Sequence, residues 1–170
     1  MSLADNEVEA QVHGWRLLAV LHARIEARLE RVLQARHELS VSEYGVLELL
    51  SRQEEHHLRM GQLATAMALS QSATTRLVNR LEDRGLLARY LCPTDRRGIY
   101  SEVTRAGFEL LDRARPEHNA TLRAALTEAA LNPEMAHLVA AIGVAEGEPL
   151  VASDRWGGGW PLWSQWVTGR

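Results

Sequence analysis

Residues 70–84 read SQSATTRLVNRLEDR, and residues 95–97 are Asp95, Arg96 and Arg97. Helical spacing over the first stretch sets Gln71, Ser72, Thr74, Thr75, Arg76, Asn79 and Arg80 on a polar side. It sets Ala73, Leu77, Val78 and Leu81 on an apolar one. The polar side carries amides, hydroxyls and guanidiniums, and no carboxylate before Glu82. A solvated helix face normally mixes Glu with Arg. One free of acid suits an anionic surface that presents hydrogen-bonding edges, such as phosphates and stacked bases. Gln, Asn and Arg can bond such edges in pairs, and a threonine can lie against a thymine methyl. The plainer alternative is a solvated face.

Asp95, Arg96 and Arg97 stand in LCPTDRRGI, at the expected tip of a hairpin. Exposed ion pairs contribute only about 0–1 kcal/mol, so two arginines on a turn do little for a fold. A narrow minor groove, however, attracts guanidinium groups, and Asp95 would brace one of them beforehand. The plainer reading is a surface ion pair.

Other chemistry is sparse. Cys92, the single cysteine, lies on the expected hairpin strand, where Arg89 and Arg96 would favour its thiolate. Seven histidines include the adjacent His56 and His57, and His22 one helical turn before Glu26. With no HxxxH pair and no Cys–His cluster, they are expected on the surface and not around a metal. No nucleophile with a base, phosphate-binding glycine loop or paired acids stands out, so neither an enzyme nor a cofactor is expected. Gly157, Gly158 and Gly159 follow no strand and read as a spacer.

The elements that must hold the polar face are legible. Residues 7–36 repeat Val8, Val12, Trp15, Ala19, His22, Ile25, Leu29 and Val32 at helical spacing, predicting one long helix, broken at most at Gly14. Such a helix is either core or half of a dimer interface. Ser40 and Glu43 have capping-box spacing before a second helix, and residues 52–59 read as a polar connection. A short helix over residues 62–68 precedes Ser70, an N-cap for the helix over 71–84, with Gly85 closing it. Two helices joined by a tight turn form a helix-turn-helix. LLARYLC and GIYSEVT around PTDRRG read as a hairpin. Thr104 caps a long helical segment that Pro116 is expected to kink or divide, and Asn132 with Pro133 starts another helix.

The 170 residues suit one domain with an oligomerisation element. The chain is 46% hydrophobic and 24% charged, with a net charge of −3 and no lysine among its nineteen cations. That net charge argues against a nonspecific nucleic-acid coat but leaves room for a local basic surface. With no apolar run of about 18 residues, no signal-like N-terminus and one cysteine, a cytoplasmic protein that does not span a membrane is expected.

A helix-turn-helix followed at once by a hairpin is a winged helix. The order of elements, with LSQSATTRLVNRLEDRGLL at 69–87, DRRGIYSEVTRAG at 95–107 and LNPEM at 131–135, resembles the MarR family of bacterial transcriptional regulators. The family's wing signature, Asp-x-Arg, falls on Asp95 and Arg97. Its Leu-Thr-x-x-Gly helix start is matched by Val103, Thr104 and Gly107. The resemblance implies a mainly α fold with a small β-hairpin wing. The winged helix-turn-helix would cover about residues 41–104 of a domain over 1–150, and dimerisation helices about 7–36 and 105–145. It implies a homodimeric repressor on a pseudo-palindromic double-stranded operator, released by a small effector or an oxidant. Ser70 joins the polar helix face and the wing as expected DNA contacts. Trp15, Arg16 and Tyr44 are the expected walls and cation of a site for a small aromatic anion, although core packing explains Trp15 and Tyr44 equally well. The alternative function is an interaction or ligand-binding module of the same fold without its own operator. Residues 151–170, with four of the five tryptophans, lie outside the resemblance and read as a docking flap or an extension foreign to the domain.

Overall fold

A computed structural model describes residues 3–53, 56–91 and 98–143. Helix α1 (Leu3–His37) runs through Gly14 without a break. Its C-terminal half buries Leu21, Leu29 and Leu33, whereas Val8, Val12, Trp15, Leu18 and Val20 remain exposed. The expected apolar stripe is thus covered by its own chain only toward its end, and His22 is exposed beside Glu26 at 3.6 Å.

Helix α2 (Val41–Ser51) opens on the expected box: the Glu43 amide donates to Ser40 Oγ at 3.1 Å and the Ser40 amide to Glu43 Oε2 at 3.0 Å. The polar connection after it hides a strand, β1 (His57–Arg59). Three residues are too few to show a period, and they become a strand only by pairing with residues 100–102. His57 is accordingly half-buried, its ring edge-on to Tyr90 and Tyr100 at 5.7 and 5.2 Å, and is not a surface histidine. His56 is exposed as expected.

Helix α3 (Met60–Ala66) and helix α4 (Gln71–Asp83) are joined by a turn with Ala68 at φ +52°. The turn is held by the Leu69 amide donating to the Ala64 carbonyl at 2.9 Å. Ser70 caps α4, accepting from the Ala73 amide at 3.2 Å, and Gly85 at φ +69° releases the chain into the sheet. Strands β2 (Leu87–Leu91) and β3 (Ile99–Val103) pair antiparallel from Leu87–Val103 to Leu91–Ile99, and the sheet order is β1-β3-β2.

Thr104 caps helix α5 (Arg105–Ala130), accepting from the Gly107 amide at 3.1 Å and donating to the Gly85 carbonyl at 2.7 Å. A Cβ on Gly107 would stand 2.3 Å from the Leu86 carbonyl oxygen, so only glycine lets α5 pass this close to the end of α4. Of the two outcomes expected at Pro116, a kink or a division, the division does not occur: α5 runs on through it. Pro116 is exposed, so the carbonyl it deprives of a partner can turn to water, while Leu111, Ala114 and Ala125 hold the other side buried. Asn132 opens helix α6 (Pro133–Gly143), its Oδ1 accepting from the Glu134 amide at 2.9 Å.

One core unites the winged lobe with the long helices. Leu39, Tyr44, Leu47, Leu63, Leu77, Val78, Leu81, Leu87 and Val103 pack in a single cluster with Leu33 of α1 and Leu111 of α5. The position of α4 therefore depends on both long helices.

Candidate nucleic-acid interface

Helix α4 is held from beneath by Leu77, Val78 and Leu81, all buried, and Ala73 is partly covered. Ser70, Gln71, Ser72, Thr75, Arg76, Asn79 and Arg80 are exposed, so the structure brings these seven together on one outward surface. Thr74 is the exception. It is 0% exposed and its hydroxyl donates to the Ser70 carbonyl at 3.0 Å, so it belongs to the packed side and cannot meet a base edge. Thr74 lies four residues before Val78 and three before Leu77, and that spacing was the signal for its inward side. The hydroxyl of the exposed Thr75 likewise donates to the Gln71 carbonyl, at 2.9 Å.

The helix is tied sideways by acids that are not on its outward face. Glu43 of α2, 6% exposed, accepts from Arg80 Nε at 3.2 Å and stands 3.6 Å from Arg84 Nη1. Sequence reasoning assigned Glu43 to its cap alone. Glu82 bonds Arg89 of β2, whose guanidinium holds the Glu82 carboxyl below the usual carboxylate range. Arg89 is thereby paired at the root of the wing. Residues 92–97, including Cys92, Asp95, Arg96 and Arg97, lie outside the described residues, as do 151–170.

A helix presented on a buried footing with an acid-free face, beside a three-stranded wing, is the arrangement of a winged helix. The sequence profile of the MarR family matches residues 37–98. The fold is similar to that of Sco3205 from Streptomyces coelicolor, a MarR family transcriptional regulator whose structure is in complex with DNA. Identity is 32%, the TM-score is 0.68, and the likeness covers 80% of this chain and 84% of that one. This chain belongs to the MarR family. AbsC, a second MarR family transcriptional regulator of S. coelicolor, shares 30% identity at a TM-score of 0.67 over 84% of this chain and 93% of that one. The regulator MhqR of Bacillus subtilis (strain 168) is 34% identical over 87 residues, 51% of this chain and 59% of that protein. This MarR-family chain is thus a transcriptional regulator and not an enzyme. Among the described residues no helix is long and apolar enough to cross a membrane, and no group of three or more His, Cys, Asp or Glu is placed to hold a metal.

The expected effector trio of this regulator does not assemble within one chain. Trp15 is 69% exposed and Arg16 is exposed beside it. Tyr44 is 3% exposed and shares the core with Leu33, which lies about 27 Å along α1 from Trp15. Its ring stacks on His118 of α5, centroids 4.2 Å apart and planes at 15°, so it packs rather than lines a cavity wall with Trp15. Burial first, then the charge of Glu48, push the Tyr44 hydroxyl up to about 12. Around it Arg115 joins Glu48 at 3.1 Å and Asp112 at 3.0 Å, and Glu117 meets Arg36 at 2.7 Å and His37 at 3.1 Å. This polar seam joins α1, α2 and α5 where the winged lobe meets the long helices.

Proposed function

We propose that the protein is a homodimeric repressor that clasps a pseudo-palindromic operator and is released by a small aromatic effector. The acid-free outward face of α4 carries this reading. In it Ser70, Gln71, Ser72, Thr75, Arg76, Asn79 and Arg80 meet phosphates and base edges in the major groove, while the wing bearing Asp95, Arg96 and Arg97 reaches the flanking minor groove. Thr74 has no part in it.

A second copy is the cover that suits Val8, Val12, Trp15, Leu18 and Val20 on α1 and Ile142 on α6, all exposed in a single chain. The winged helix would then be the DNA-reading unit, with α1, α5 and α6 as the dimerisation unit. Two copies of α4 held at one separation fit successive major grooves, and a dimer seated on a promoter excludes other proteins. An effector acts by binding the arrangement that misfits DNA more tightly than the one that fits.

Selection of duplexes from a random pool by the full chain tests the reading. The expected product is a palindrome with half-site centres about 10–10.5 base pairs apart. Arg97→Ala should weaken it and reduce the log–log salt slope by about 0.9. A pool without enriched sequences would leave the fold without an operator. A panel of salicylate-like acids added to the selected complex tests the effector, and release by peroxide with protection by Cys92→Ser would assign the response to the thiol instead.

A further inference from the structure

Among the described residues, Glu43 is the charged member of the buried polar set, which otherwise contains Thr74 and Ser101. Its cap does not require the charge, since a glutamine serves equally at that capping-box position. The charge is used elsewhere. Oε2 accepts from the Ser40 amide at 3.0 Å and faces Arg84 Nη1 at 3.6 Å, while Oε1 accepts from Arg80 Nε at 3.2 Å. Arg80 Nη1 also donates to the Arg76 carbonyl at 3.4 Å. Two of its three guanidinium nitrogens are thus engaged by the protein. Nη2 has no hydrogen-bond partner among the described residues, on a side chain that is 56% exposed.

We propose that Glu43 is a positioning residue for DNA recognition: by holding Arg80 in one orientation it sets the discrimination between operator and nonspecific duplex. This rests on the reading that α4 meets DNA. A long arginine side chain fixed before contact loses little freedom on binding, and only where the phosphate or base lies in the dictated direction. A neutral partner would let Arg80 swing toward any phosphate within reach.

Signs separate this role from a merely structural one. Glu43 is a negative charge near a helix approaching a polyanion, so neutralising it favours every duplex on electrostatic grounds. If Glu43 aims Arg80, its neutralisation weakens the operator complex while nonspecific binding holds or tightens. If Glu43 only supports the fold, its loss weakens both alike.

The experiment measures the full chain against its pool-selected operator and against a scrambled duplex of equal composition, by fluorescence anisotropy over a range of salt. Glu43→Gln keeps the cap and removes the charge. The operator should weaken about 10-fold, as one re-mobilised side chain implies, with the scrambled duplex equal or tighter. Arg80→Lys keeps the cation but has no Nε–H to give Glu43, and should lower the same ratio. It carries the measurement if Glu43→Gln melts too early to assay. Adding Glu43→Gln to Arg80→Ala should leave the operator-to-scrambled ratio where Arg80→Ala put it, both duplexes holding or tightening together. Equal weakening of both duplexes, or an undiminished Glu43→Gln effect in the Arg80→Ala background, overturns the proposal while leaving α4 as the reading helix. Should Arg80→Ala itself leave both duplexes bound as before, Arg80 does not meet DNA, and the reading of α4 fails at that residue together with this one.

Discussion

The outward side of α4 and the surface of α5 both carry arginines, on opposite plans. On α5 acids are interspersed: Glu109 binds Arg105 at 2.9 Å, Asp112 binds Arg115 at 3.0 Å, Glu117 binds Arg36 and Glu128 binds Arg28, each at 2.7 Å. From Gln71 to Leu81, α4 has none, and Arg76 has no carboxylate partner among the described residues. The acid that Arg80 does use, Glu43, comes from α2. A mixed surface is close to neutral toward a polyanion, whereas an unmixed one keeps its charge for a partner. The contrast is what favours α4 as the proposed contact surface, in a protein whose net charge of −3 gives no hint of one.

The largest way to break the contrast is to give α4 the pattern of α5. Arg76→Glu should weaken operator binding on the order of 100-fold, about 2.7 kcal/mol, and cut the salt slope by about 1.8 for one reversed charge. The melting temperature should hold, because Arg76 is exposed and rests on no acid. Unchanged affinity in an anisotropy titration would mean that the unmixed face has no bearing on DNA.

A smaller effect belongs to the polar seam between the winged lobe and α5, where charge serves stability. The Tyr44 hydroxyl, at about 12 in the folded chain, ionises near 10 once unfolded, so its contribution is complete below pH ~10 and lost as pH rises toward ~12. Glu117 runs the other way. The hydrogen bond from Arg36 holds its carboxyl below the usual range, so its contribution stands above pH ~4.3 and fades as pH falls through the lowered value. Denaturation midpoints followed against pH should show a shallower alkaline limb for Tyr44→Phe and a shallower acid limb for Glu117→Gln. Neither limb should respond to Arg76→Ala.

The smallest effect sharpens the comparison from the α5 side. Arg105 and Glu109 are a pair four residues apart, their side chains 93% and 56% exposed. Arg105→Ala should cost no more than about 0.5 kcal/mol in a urea melt and leave operator affinity alone. A tenfold loss of DNA binding at this site would extend the contact surface beyond α4 and the wing.

Much of this regulator was legible before folding. The boundaries at Ser40, Ser70, Gly85, Thr104 and Asn132 all stand where residue chemistry put them, and six exposed residues of α4 (Gln71, Ser72, Thr75, Arg76, Asn79 and Arg80) match the expected polar side. Legibility failed at Thr74, read as polar from its hydroxyl although its spacing shared the side of Leu77 and Val78. It failed at β1, which is shorter than any period, and in allowing Pro116 to divide α5, where an exposed backbone tolerates the missing hydrogen bond. Trp15 and Tyr44 were grouped by side-chain type, and α1 carries them apart.

Caps, helix periods and the acid-free stretch are determined by the sequence itself, because each closes within one to three helical turns and needs no distant partner. The tertiary structure alone decided that Glu43, 37 residues before Arg80, meets its guanidinium, that residues 57–59 find β3, and that Tyr44 stacks on His118. Those contacts exist only after α2, α4 and α5 have packed around one core. No local pattern encodes the distance between residues that only a shared core brings together.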